Sequence, residues 1–483
     1  MRSRAALATV LAASVAAVTA APRQDLRADL DAILTAPVLA RALVAVRVDS
    51  LTTGATLYQR NSDKLVVPAS NLKLFTLAVA AERLGWDHRF ETRLDAAGAI
   101  ENGVLTGDLI VTGGGDPSIV SPDLGLAPLF LEWADALRAA GILRVSGRLI
   151  GDDNAFDDAG LGAGWAWDYL ALNYAAPAGA LSFNDNVATI RIQPGAQEGE
   201  PARIDIAPAG ARFTIENLLQ TSAPGVPAVV RVGRLPGATR LTVAGTVPAG
   251  AAPISRVTTV ENPTAYFVEA LRLALEHRGL VVSGGAWDVD ELLSPIASDS
   301  RVRIAQRQSA PLSSIGAQML KVSQNFYGEM LLKSIGRVNG QPGTAETGRQ
   351  AVRSTLEGWG IDRESIVMYD GSGLSRYNYA TTDAIVTLLT RVWRDERLRG
   401  PFAAALPVGA HDGTLEARMK NTELARRVQA KTGTINNMRA LSGYLETRSG
   451  ERLVFSFVAN HFTARAAEID AVAEQMLLRL LKE

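Results

Sequence analysis

A serine and a lysine three residues apart, in Pro68-Ala69-Ser70-Asn71-Leu72-Lys73-Leu74-Phe75-Thr76, are the side chains of this sequence best placed to do chemistry. On an α-helix, positions i and i+3 lie about a turn apart on one face, so the Lys73 amine comes beside the Ser70 hydroxyl. That is a nucleophile with a built-in base. Neither group works unaided: a serine hydroxyl is a weak nucleophile, and an ordinary lysine is protonated at neutral pH. Activation needs a site that lowers the lysine pKa by burial or by a second cation. The spacing S-x-x-K arises by chance in long chains, so the rest of the sequence must supply that site.

The elements that would position the pair are legible around it. Alternating apolar residues over 42–49 and 56–60, joined by a turn at Thr53-Gly54, predict a β-hairpin leading into the serine. The run 72–84 is apolar on nearly all sides and stops at Gly85, the pattern of a helix buried at a domain centre. A helix over 25–34, closed by Pro37, precedes them. Far downstream, helices over 328–336, 344–358 and 382–396 are followed by strands over 429–431, 441–446 and 453–459 and an amphipathic helix over 467–481. Early hairpin, late strands and terminal helix suit one α/β (α+β) domain, an antiparallel sheet flanked by helices, made of 21–92 and 301–483.

Between these halves the texture changes. Strands over 107–112 and 148–151 flank a helix over 128–140, which predicts a small α/β unit over 93–155. Alternating segments separated by Pro and Gly turns predict a mainly β unit over 156–300, although a helix over 264–278 falls inside it. The middle of the chain thus reads as a two-domain insertion.

Composition narrows the setting. Arg2 and Arg4 precede an apolar run from Ala5 to Val18 and a small-residue cleavage site ending at Ala20, the three parts of a secretory signal peptide over 1–20. The run is shorter than the ~20 residues that a membrane-spanning helix requires. An exported protein, periplasmic or extracellular and soluble or loosely wall-associated, is the expectation. There is no cysteine, which excludes disulfides, thiolate metal sites and a lipoprotein anchor. The four histidines, His88, His277, His411 and His461, have no metal-ligand spacing. Lys and Arg number 49 against 50 Asp and Glu, so nothing points to nucleic acid or another polyanion.

Two later stretches complete the opening one. Lys321-Val322-Ser323-Gln324-Asn325-Phe326 sets a serine and an asparagine two apart, and Lys431-Thr432-Gly433-Thr434 falls at the end of a strand. S-x-x-K, S-x-N and K-T-G, in that order, are the signature of the penicillin-binding and serine β-lactamase superfamily. The wider wording Gly113-Gly114-Gly115-Asp116-Pro117-Ser118, Asp370-Gly371-Ser372-Gly373-Leu374-Ser375-Arg376 and His411-Asp412-Gly413-Thr414-Leu415 resembles peptidase family S13. That family holds the D-alanyl-D-alanine carboxypeptidases/endopeptidases of the low-molecular-mass class C penicillin-binding proteins. It is known for two extra domains between its first two motifs, and Ser70 to Ser323 leaves that room.

The resemblance implies a transpeptidase-like fold, no cofactor and no metal, peptidoglycan stem peptides ending in or cross-linked through D-Ala as substrates, and β-lactams as covalent inhibitors. It leaves a homodimer open. It assigns Ser70 as the acylated nucleophile, Lys73 as its proton acceptor, Ser323 as a proton relay, Asn325 as a partner of the substrate amide and Lys431 as the second cation. Thr432 and Thr434 would bind the terminal carboxylate, and the backbone N–H groups of Ser70 and Thr434 would form the oxyanion hole. Two lysines in one site disfavour both being charged, which would push Lys73 toward the neutral base. Gly433 would let a substrate strand approach the sheet edge.

Arg376 and Asp152 would face the free end of the peptide's diamino acid, although a loop ion pair fits Arg376, and ordinary turn chemistry fits Asp152-Asp153-Asn154, as well. Gln324 stands where the family often has Asp or Asn, which implies tuned but retained activity. Glu329 reads as structural, His411 as a turn residue, and Trp165 and Trp167 as core or domain interface. The expected activity is a serine D-Ala-D-Ala carboxypeptidase/DD-endopeptidase; a β-lactamase or D-amino esterase on the same site and a non-catalytic wall-binding scaffold are the alternatives.

Overall fold

The computed structural model describes residues 22–294, 296, 301–337 and 340–483; the leader expected over 1–20 lies outside them. Five antiparallel strands carry the peptidase half, in the order Val428–Ile435, Met438–Glu446, Arg452–Asn460, Leu43–Ser50, Thr56–Arg60. The two ends of the chain meet in its middle, where Leu43 pairs with Asn460 and Ser50 with Leu453. Arg452–Asn460 is buried from Leu453 onward, as a run apolar on both faces must be when helices cover both sides of a sheet.

One face is covered by the terminal helices Pro22–Leu34 and Ala466–Leu480, whose Leu30, Ile469, Met476 and Leu480 pack on Val46, Phe455 and Phe457. The other face carries a layer of helices around Leu72–Leu84, in which every residue from Leu72 to Ala81 is buried. Its neighbours are Leu312–Lys321, Asn325–Gly336, Ala345–Gly358, Thr382–Arg394 and Glu396–Ala405. The helix expected over 382–396 breaks at Asp395, whose carboxylate accepts the Arg397 N–H at 3.0 Å and so caps the start of a second helix.

The insertion is divided differently from the sequence reading. A seven-stranded mixed sheet gathers Glu91–Glu101, Val104–Gly113, Arg144–Val145 and Leu149–Asp152 with Val281–Val282, Ala286–Asp288 and Val302–Gln308. The helices Pro128–Ala139 and Pro263–His277 share its core. The expected breaks after 155 and 300 therefore move. Ala286–Asp288 returns to pair in parallel with Leu149–Asp152, and Val302–Gln308 pairs with Glu91–Glu101. A parallel partner reaches its sheet only after a long crossover, so the short strands of one sheet are scattered along the chain. What remains is two three-stranded sheets built from 187–259, closed over Ile190, Leu219, Leu241 and Val243. This β unit is nested inside the first inserted one. Among the described residues no helix is long and apolar enough to cross a membrane.

Candidate active site

Ser70 sits in the single 3-10 turn Ala69–Asn71 that opens Leu72–Leu84, half-buried at the base of a cleft of about 380 Å³. Lys73 follows one turn later and is fully buried. Its Nζ lies 3.0 Å from Ser70 Oγ, 2.7 Å from Asn325 Oδ1 and 2.7 Å from the Ser372 carbonyl. Two of these partners can only accept, so a neutral amine would give its two N–H groups to them and keep its lone pair for the Ser70 hydroxyl proton. Burial lowers Lys73 to about 7, against the opposing charges of Asp370 and Glu329. Of the two levers expected, burial and a second cation, burial is the main one on Lys73. Repulsion between the two amines falls on Lys431, which burial and the charge of Lys73 hold well below the usual lysine range.

The opposite wall comes from the S-x-N stretch. Ser323 has φ +62°, a left-handed backbone that costs a side-chain-bearing residue of order 1 kcal/mol or more, and its Oγ accepts from Lys431 Nζ at 2.8 Å. Asn325 opens Asn325–Gly336 and has both ends of its amide engaged: Oδ1 takes Lys73, and Nδ2 donates to the Tyr174 carbonyl at 2.8 Å. The expected partner of the substrate amide is therefore already a bridge between the lysine and the insertion.

Val428–Ile435 is the outer strand of the sheet and supplies the third wall. Thr432 Oγ1 donates to Thr414 Oγ1 at 2.8 Å, and Thr414, Thr432 and Thr434 all line the cleft. Gly433 has a structural reason besides the one expected. A Cβ there would meet the Pro68 carbonyl oxygen at 2.7 Å, so its absence lets the strand press against the turn that carries Ser70.

The structure adds contacts that the sequence did not assign. Tyr169 and Tyr174 line the cleft with Leu374, and their rings stack edge to face at 5.5 Å. Gln324 Nε2 donates to Asp185 Oδ2 at 2.9 Å, so the unusual middle residue of S-x-N ties this motif to the insertion. Asp370 accepts N–H groups from Gly373 at 2.8 Å and Ser375 at 2.6 Å, and from Trp165 Nε1 at 2.9 Å, which makes Trp165 the interface residue it was read as. Gly373, at φ +85°, would place a Cβ 1.9 Å from the Ala69 carbonyl oxygen; this loop rests directly on the serine's turn.

Two sequence candidates stand apart. Asp152 ends a strand and accepts from the Asn154 N–H at 3.3 Å and the Asn154 amide at 3.0 Å, the turn chemistry that was the alternative. It lines a separate cavity of about 590 Å³ with Arg89 and Phe90. Arg376 is half-buried on the Asp370 loop and is not among the residues lining the cleft. The carboxylates of Asp153, Asp288 and Asp290 come close enough to one another to grip a cation, but at a third cavity of about 560 Å³ that includes none of the three motifs.

A serine beside a buried, low-pKa lysine, under the outer strand of an antiparallel sheet, places the protein among the active-serine enzymes of the penicillin-binding fold. Within that class the chain belongs to the D-Ala-D-Ala carboxypeptidase 3 (S13) family, whose model matches residues 26–480. It is therefore a serine-type D-Ala-D-Ala carboxypeptidase. It is 36% identical over 461 residues to the D-alanyl-D-alanine carboxypeptidase of Actinomadura sp. (strain R39), covering 92% of this chain and 83% of that protein. It is 27% identical over 412 residues to the D-alanyl-D-alanine carboxypeptidase DacB of Haemophilus influenzae, covering 83% of this chain and 82% of that one. The crystal structure of penicillin binding protein 4 (dacB) from Haemophilus influenzae shares the fold, with a TM-score of 0.80 at 24% identity over 94% of this chain and 99% of that one. The same protein complexed with a β-lactam superposes with a TM-score of 0.76 at 23% identity, over 94% of this chain and 100% of that one.

Proposed function

We propose that the enzyme is exported and cleaves the bond after D-alanine in peptidoglycan peptides through an acyl-enzyme on Ser70, both at free D-Ala-D-Ala ends and at cross-links, and that β-lactams acylate the same oxygen. The observation that carries this reading is the three-partner setting of Lys73. With two N–H groups given to Asn325 Oδ1 and the Ser372 carbonyl, the lone pair faces Ser70 Oγ, the arrangement of a general base.

Lys73 takes the hydroxyl proton as Ser70 Oγ bonds to the D-Ala carbonyl carbon. Charge develops on the carbonyl oxygen, which the N–H groups of Ser70 and Thr434 receive; such a donor is worth about 3 kcal/mol of barrier. The C–N bond then breaks, and the leaving amine takes a proton through Ser323, which Lys431 holds at 2.8 Å. Water hydrolyses the ester by the reverse order of proton transfers. Thr432 and Thr434 on the outer strand suit a terminal carboxylate, with the Lys431 amine adding positive charge when protonated. Arg376, on the loop that rests on the serine's turn, is the candidate for the peptide's distal end.

Mass spectrometry after incubation with penicillin and with purified muropeptides tests the reading. An adduct on Ser70, absent in Ser70→Ala, and release of D-alanine are the expected results. No adduct on the wild type would return the protein to a binding role, and rapid loss of the penicillin adduct would make it a β-lactamase.

A further inference from the structure

Behind Lys73 lies a carboxylate that the acyl-transfer scheme does not use. Glu329 is one turn beyond Asn325 on the same helix and only 5% exposed. A buried ionisable group must find partners, and this one finds backbone. Its oxygens accept the N–H groups of Gly371 at 2.9 Å and Ser372 at 2.8 Å. The carbonyls of the same two residues face the nucleophile helix: Gly371 O accepts from Thr76 Oγ1 at 2.7 Å, and Ser372 O accepts from Lys73 Nζ at 2.7 Å. One two-residue turn is therefore gripped by the S-x-N helix from one side and by the serine's helix from the other. Asp370, wholly buried beside it, is held by its own loop and Trp165.

We propose that Glu329 is a positioning residue for acylation: it clamps the Gly371–Ser372 turn whose carbonyl aims Lys73 at Ser70, and it supplies negative charge for the ammonium that forms when Ser70 gives up its proton. The proposal rests on the acyl-enzyme reading above. The charged groups acting on Lys73 are Asp370 and Glu329, which favour its protonated form, and Lys431, whose charge opposes it. Burial and the charge of Asp370 push Glu329 up, while its two backbone N–H donors and the charge of Lys73 favour its carboxylate, so protonation of Lys73 and ionisation of Glu329 support each other. Without Glu329, Lys73 should lose its proton at lower pH and also be less well aimed.

Stopped-flow acylation of the full-length protein by a fluorescent penicillin, followed across pH on both sides of the Lys73 pKa, separates the two effects. Glu329→Gln is expected to move the acid limb of the rate to lower pH, by about one unit, and to lower the limiting rate about tenfold. Thr76→Val removes an uncharged bond to the same turn and is expected to lower the rate with the limb unmoved. Should Glu329→Gln not fold, Glu329→Asp keeps the charge with a shorter reach and is expected to slow acylation without moving the limb. A limb at the wild-type position in folded Glu329→Gln, or a wild-type rate in Glu329→Asp, overturns the proposal while wild-type acylation leaves the acyl-enzyme reading intact. A wild type that is never acylated overturns that reading instead.

Discussion

The protein buries lysines in two places and surrounds them differently. In the cleft, the hydrogen-bond partners of Lys73 and Lys431 are neutral: Ser70, Asn325 and a carbonyl for one, Ser323 and a carbonyl for the other. Where the peptidase half meets the insertion, Lys333 is 3% exposed, lies 2.7 Å from Asp157 Oδ1, donates to the Asp157 carbonyl at 2.9 Å and sits over the Phe156 ring. A buried ammonium with a carboxylate in contact fastens two parts of a chain together. One with only neutral partners is driven toward the amine, which is a base. In the cleft the counter-ions stand out of direct contact, and burial holds both lysines below their usual range.

Exchanging each lysine for a residue of similar volume without charge should break the comparison most visibly. Lys73→Met is expected to slow acylation at least a thousandfold (~4 kcal/mol or more) while leaving the melting temperature unchanged or raised, because a desolvated amine has been removed. Lys333→Met is expected to leave the acylation rate of the folded protein near wild type but to destabilise it by about 2 kcal/mol, since Asp157 loses its partner at a partly solvated site. Thermal melts and labelling rates measured on both variants distinguish the roles; equal loss of stability in the two would erase the distinction.

Gly433→Ala comes next. The added methyl meets backbone at Pro68, so the outer strand must move off the nucleophile's turn, and acylation should fall by about a hundredfold with most of the stability kept. The pH profile of the unaltered enzyme is a smaller effect. With Lys73 near 7 and required as the free base, the rate should rise with pH up to about 7 and level off above it, dropping about tenfold for each unit below. A limb at the pKa of an unburied lysine would refute the role of burial. Smallest is Gln324→Ala, which cuts the tie to Asp185 and should lower the rate about threefold, detectable as a change in kcat at constant KM.

The part of this site legible in the sequence was the part that is local. Ser70 and Lys73 are one helical turn apart, and the order of the three motifs fixes which strands and helices carry them. Contacts between Tyr174 and Asn325, Asp185 and Gln324, or Glu329 and the Gly371–Ser372 turn depend on how separate segments dock, and no periodicity marks them. Asp152 was placed by resemblance, but an aspartate two residues before an asparagine can satisfy itself within a turn, and it does so here. The insertion's boundaries were misdrawn for a related reason: a two-residue strand such as Val281–Val282 shows no alternation, and its sheet is identified only by its partner at Arg144–Val145. The helix over 264–278 was visible in the β-rich texture, but not the core it joins.

The central seam of the peptidase sheet also dictates when the enzyme can exist during synthesis. Leu43–Ser50 has no neighbour on one side until Arg452–Asn460 has emerged from the ribosome, and Lys431 arrives scarcely earlier. Contacts so distant along a chain are slow to form. The helix of Ser70 and Lys73 is therefore made hundreds of residues before the strand that walls its cleft, and a nascent or truncated chain carries the two side chains without the burial that lowers the lysine's pKa.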